Sequence, residues 1–132
     1  MATATGGTRY AIDAPVAVAL IRAGATGHTL VGPAVLRSDA LALLYRELPD
    51  AEGRALLDGL AALRIRLLGD RVSRAVAWRL ARELGWDDPR PAEYLAVARL
   101  QADLLVTSDP ALLSGAARAG IPTAPPTVLT AS

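Results

Sequence analysis

The 132-residue sequence has no cysteine, no lysine and a single histidine, His28. Without cysteine there is no disulfide framework, no thiolate zinc site and no cysteine nucleophile. One histidine excludes a histidine-rich metal cluster and the paired-histidine helix of a zinc protease. All fourteen basic residues are arginine, which excludes a Walker-type phosphate loop, Schiff-base chemistry and a lysine-dependent phospho-aspartate receiver. Neither sign of charge dominates: the formal net charge is +1, so any nucleic acid has to be gripped by a local patch. The longest apolar run, Ala14 to Ile21, includes Pro15 and is far too short to span a bilayer. Carboxylates, hydroxyls and arginines remain to carry any chemistry.

What is present describes one globular domain. Apolar residues make up 52% of the chain and charged residues 20%, enough for a sizeable core and too apolar for disorder. Residues 1–8 (MATATGGT) read as a flexible N-terminus without the charged start and apolar stretch of a signal peptide. Residues 9–122 read as a single domain, and residues 123–132 as a Pro/Thr-rich tail, extended or a frayed strand. A cytoplasmic location and no membrane partner are the expectation.

Short β-type runs alternate with helical stretches, the pattern of a small parallel sheet flanked by helices in an α/β/α arrangement. Strands are expected at Arg9–Ile12, Ile65–Leu68 and Leu104–Thr107, with a last short one from Ile121. Helices are expected at Pro15–Arg22, Pro33–Leu48, Ala51–Leu63, Arg71–Leu84, Pro91–Gln101 and Pro110–Ala119. Asp70 stands at an N-cap position and Gly85 at a C-terminal break.

In open parallel sheets, ligands bind outside the carboxyl ends of the strands. Asp13 and Asp109 sit at such ends. Each has a plain reading, because an Asp before a helix is an ordinary N-cap and Asp109-Pro110 has the cap-then-proline form. If the sheet brings both ends together, two like charges converge and call for a cation. Asp39 falls at the edge of an apolar helical stripe of Leu36, Ala40, Leu43 and Leu44, where partial desolvation favours a paired or metal-bound carboxylate. The alternatives are a cap by Ser38 or Asp39 on a later-starting helix, or a half-exposed acid paired with Arg46. Oxygen-only ligands suit Mg²⁺ or Mn²⁺, and the fitting chemistry is phosphodiester hydrolysis by a metal-activated water.

Five stretches together resemble the PIN-domain ribonucleases, and within them the VapC-type toxins of bacterial toxin–antitoxin pairs. They are Tyr10–Ala14 (YAIDA), Pro33–Tyr45 (PAVLRSDALALLY), Leu68–Val72 (LGDRV) leading into Ala77 and Trp78, Ala92–Ala98 (AEYLAVA) and Ala102–Asp109 (ADLLVTSD). The resemblance runs from Tyr10 to Ala119 and rests on the order and spacing of these pieces. It implies a PIN-like fold and a Mg²⁺- or Mn²⁺-dependent endoribonuclease. It also implies a homodimer and a cognate antitoxin whose C-terminal segment covers the acidic groove. Asp13 and Asp109 match two of the family's acids, Asp39 stands where the family usually has Glu, and Thr107 and Ser108 match the polar pair before the last acid. The family's remaining Asp falls at Pro91, which has no ligating atom, and Pro15 replaces a frequent Ser. Glu93, a candidate substitute ligand, lies about 200° around the helix from Pro91 and points away if Pro91 begins the helix regularly; Asp87 and Asp88 lie in the loop before it and could fold back.

Arg37 and Arg46 flank Asp39 and are candidates for holding a substrate phosphate, or for surface ion pairs worth little. Arg71, Arg74, Trp78 and Arg82 form one helical stripe that suits RNA; the commoner arrangement is a solvated face with Trp78 half buried against a neighbouring helix. Three functions follow from these residues. The first is an RNA-cutting toxin acting through Asp13, Asp39 and Asp109. The second is a PIN-fold module impaired by Pro91 that binds an antitoxin or RNA. The third is a hydrolase for another phosphate ester.

Overall fold

A computed structural model describes residues 7–130. Of the expected flexible N-terminus, residues 1–6 therefore lie outside the described residues. The elements run β1 (Arg9–Ile12), α1 (Ala14–Ala23), β2 (Thr29–Pro33), α2 (Leu36–Glu47), α3 (Asp50–Ala55), α4 (Leu57–Ala62), β3 (Arg66–Leu68), α5 (Arg71–Leu84), α6 (Arg90–Gln101), β4 (Leu104–Val106), α7 (Pro110–Ala119), β5 (Thr123–Ala124) and α8 (Thr127–Thr130). The five strands form one all-parallel sheet in the order β3-β2-β1-β4-β5. This is the expected α/β class.

The chain steps outward from β1 through β2 to β3, then returns to place β4 on the other side of β1. Right-handed crossovers then put helices made on the outward path and helices made on the return path on opposite faces. Accordingly α1 packs with α2, α4 and α8, while α5, α6 and α7 pack together and α6 lies along β1, β2 and β4. The core between them is made by Ile12, Leu20, Leu36, Leu80, Leu95 and Leu105, all buried. α6 is covered on nearly every side, with Ala92 and Tyr94 through Ala98 all buried.

Several boundaries differ from expectation for local physical reasons. Pro33 ends β2 instead of starting a helix; its missing N–H leaves no gap because the ladder continues through Ala34 N–H donating to the Leu68 carbonyl at 2.8 Å. β2 itself, Thr29–Pro33, is not among the expected strands; its last residue, Pro33, was expected to open a helix. The helix expected over 51–63 is two six-residue helices that meet at Leu56. In the tail, the expected short last strand is present as Thr123–Ala124, paired with β4, whereas residues 127–130 form the helical turn α8, which buries Leu129 and packs on α1. The domain therefore continues past residue 122. No helix among the described residues is long and apolar enough to cross a membrane.

Candidate functional site

The reversal of strand order between β1 and β4 leaves a crevice at the carboxyl edge of the sheet. Asp13 leaves β1 with extended backbone and caps α1, its Oδ1 accepting the Val16 N–H at 3.1 Å. Only 3% of the residue is exposed. Its Oδ2 accepts the hydroxyl of Thr107, the residue after β4, at 2.5 Å. Thr107 Oγ1 in turn accepts the Asp109 N–H at 3.0 Å, and Asp109 Oδ2 caps α7 by accepting the Leu112 N–H at 2.9 Å. The capping and site readings of both aspartates therefore hold together: each carboxylate closes a helix and also lines the crevice.

Asp39 reaches the same crevice from the first turn of α2. It caps nothing, and its partner is not Arg46. Arg90, the first residue of α6, donates to Asp39 Oδ1 through Nε at 3.0 Å and Nη2 at 2.5 Å, and the Tyr94 hydroxyl donates to Oδ2 at 2.6 Å. Arg90 and Tyr94 stand one helical turn apart, so α6 presents both to one carboxylate. Asp88 steadies this corner by accepting the Arg90 N–H at 3.0 Å. The resulting cleft has a volume of about 450 Å³ and is walled by Asp13, Asp39, Asp88, Asp109, Arg46, Arg90 and Tyr94, with Pro91 at its side.

The electrostatics follow from burial. The Asp13 carboxyl is pushed above its ordinary value, first by desolvation and also by the Asp109 charge, against the hydrogen bonds from Thr107 and Val16. Burial, then its bond to Asp39, pushes the Tyr94 hydroxyl far above the usual phenol range, so it stays a donor. Desolvation raises Glu93 as well, partly offset by Arg90.

The other expected residues divide between cleft and scaffold. Arg46 is at the cleft, but Arg37 is not: it donates to the Leu60 and Leu63 carbonyls at 3.3 and 2.8 Å and fastens α2 to the end of α4. Glu93 does not line the cleft, and Ser108 is exposed while Thr107 is buried. Of the two loop acids considered in place of the acid missing at Pro91, Asp88 lines the cleft and Asp87 does not. Arg90 and Tyr94 complete the site without having been singled out for it; their i, i+4 spacing was the available signal. A larger cavity, about 650 Å³, lies at the other end of α1 around His28 and Arg64. Its lining is mostly apolar, and it gathers no carboxylates.

The donor set fits a hard divalent cation in kind, since Asp13, Asp39, Asp109 and Thr107 offer oxygen alone. Its spacing is open: among the described residues no three acidic or histidine side chains are close enough to hold a metal ion together. Arg90 supplies the positive charge beside Asp39.

The site thus lies at the switch point of a doubly wound parallel sheet. No family model matches the chain, and no curated protein matches it. Among solved structures it is similar to PAE2754 from Pyrobaculum aerophilum, with a TM-score of 0.61 and 23% identity over 83% of this chain and 87% of that one. The likeness is one of fold.

Proposed function

We propose that this protein is a Mg²⁺- or Mn²⁺-dependent endoribonuclease of the PIN-domain type, acting as the toxin of a toxin–antitoxin pair. The observation that carries the reading is that Asp13, Asp39 and Asp109, from three separate elements, line one cleft at the switch point of the sheet. When bound, the cation supplies charge neutralisation at the phosphodiester and activation of water. Asp13 and Asp109 would hold it from the β1 and β4 ends. Thr107 keeps Asp13 Oδ2 in place, and Asp39 would join them from α2 only if its bonds to Arg90 and Tyr94 were released. Arg46 and Arg90 at the rim then face the phosphate. A cognate antitoxin and a homodimer belong to this proposal through the family resemblance.

A specific observation favours a second reading, a binding module without catalysis. Pro91 offers no ligand, and Asp39, which caps no helix, is held by an arginine. Incubation of a structured RNA pool with Mn²⁺ or Mg²⁺, beside EDTA and an Asp13→Asn protein, separates the two. The nuclease reading expects metal-dependent cutting that EDTA and Asp13→Asn abolish. Cutting by Asp13→Asn at the wild-type rate removes Asp13 from the mechanism, and no cutting by folded wild-type protein favours the binding module.

A further inference from the structure

Charge is unevenly distributed along this chain. Between residues 64 and 82 there are six arginines and one acid, Asp70, whereas the whole chain carries only +1. The segment comprises β3, the edge strand of the sheet, and most of α5. α5 buries Ser73, Val76, Ala77, Leu80 and Ala81, so its other face is open. At about 100° per residue, Arg71, Trp78 and Arg82 fall within about 40° of one another on that face, flanked by Arg74 and Arg79. Trp78 was expected to be half buried, but it is 59% exposed, and the Arg82 guanidinium lies 4.9 Å from the centre of its ring.

We propose that the open face of α5 is a docking ridge for unpaired RNA, with arginines taking the phosphates and Trp78 stacking a base. This rests on the ribonuclease reading and extends it by assigning a surface outside the cleft, on α5, on which the strand lies. An exposed tryptophan among arginines is the composition that strand-tracking surfaces use. A second copy of the chain is a poor occupant, because a two-fold contact would oppose arginine to arginine. The ridge is also correctly placed. Because every strand is parallel, the start of α5 lies at the same sheet edge as Asp13 and Asp109. From Arg71 to Arg82 the helix runs about 16 Å, the length of about five stacked nucleotides at about 3.4 Å each.

The test is fluorescence anisotropy of a labelled 12-nucleotide oligouridine with the wild-type chain in EDTA, where metal-dependent cutting is silent. Four phosphate contacts to a single strand predict a log–log salt slope of about −3, so affinity should fall about 50-fold from 50 to 200 mM salt. Trp78→Ala should lose about tenfold, the stacking of one base. Combined replacement of Arg71, Arg74, Arg79 and Arg82 by Gln should remove most of the salt dependence. Circular dichroism melts of these surface variants check that folding is intact. Wild-type affinity in Trp78→Ala and in the arginine variant would overturn the ridge, as would equal affinity for a 12-residue polyglutamate. Tighter binding to a 12-base-pair RNA duplex than to the single strand would also overturn it. The two readings fail separately: cutting by ridge variants at the wild-type rate leaves the nuclease standing without the ridge. Loss of binding in ridge variants of a protein that never cuts leaves the ridge standing without the nuclease.

Discussion

Replacing Asp13 by Asn should stabilise the fold while disabling the site. Asn caps a helix about as well as Asp, so the Val16 N–H keeps its partner. The amide that replaces Oδ2 donates to Thr107 Oγ1, so a charge-assisted bond worth about 1.5–3 kcal/mol becomes a neutral one worth about 1, and the Thr107 hydroxyl hydrogen has to turn to another acceptor. Against that loss, the variant no longer buries a charge or places one beside Asp109. The upward displacement of the Asp13 carboxyl is the direction expected where desolvation and the Asp109 charge outweigh the bonds from Thr107 and Val16. A net gain of about 1 kcal/mol is the usual size for such a replacement, or about 4 °C in Tm for a domain of this length. The pH dependence has a definite sign. The folded protein keeps the Asp13 proton to higher pH than the unfolded chain, whose carboxyl titrates near 3.8. The contribution of this group to wild-type stability is therefore full below 3.8 and is lost as pH rises through the folded-state value. The advantage of Asp13→Asn should appear at pH 7.5 and shrink toward pH 4. Thermal melts in EDTA at both values test this; a variant less stable than wild type at pH 7.5, or an advantage equal at both, refutes the reasoning.

Arg90→Ala should lower stability by less than about 1 kcal/mol, because the pair with Asp39 is half exposed. It should also tighten Mn²⁺ binding severalfold by freeing Asp39, read as the free-ion signal in electron paramagnetic resonance titrations; unchanged binding would separate Arg90 from cation control. Thr107→Val removes the hydroxyl donor from the buried Asp13 carboxylate and should cost about 1.5–3 kcal/mol at pH 7.5. The loss should be smaller at pH 4, and urea midpoints that fall equally at both values would contradict this. Gly115→Ala places a Cβ 2.8 Å from Trp86 Cζ2 and 3.1 Å from Leu95 Cδ1, so overpacking should cost about 1–3 kcal/mol. A thermal melt that matches wild type would show that the Trp86 ring yields freely.

The parts of this molecule that were legible are those encoded by one or two neighbouring residues. Asp70 and Gly85 bound α5 as expected because a side-chain cap and a glycine at φ 73° are local devices. Asp13 and Asp109 were found for the same reason. β2 escaped because Pro33 imitates a helix start, while Gly32 is there for space: a Cβ would lie 2.9 Å from Leu36 Cδ1. The cleft was half legible. Three acids were named from the sequence, but the one ion-pair partner weighed for Asp39 was Arg46, on its own helix. The true partners are Arg90 and Tyr94, 51 and 55 residues away, and only the crossover through the sheet brings α6 to α2. Trp78 escaped in the opposite sense, since nothing in its helical spacing tells that no neighbour covers it.

The double duty of Asp13 and Asp109 has an evolutionary consequence. Selection for folding alone restrains both positions, because each closes the first turn of a helix, and Asn, Ser or Thr are the few replacements that preserve that role. Asp39 closes no helix. A library screened only for soluble expression should therefore leave positions 13 and 109 narrow and let position 39 drift. If the proposed toxin activity is right, a library screened for growth arrest should narrow all three. Position 39 is where the history of the chemistry is written separately from the history of the fold.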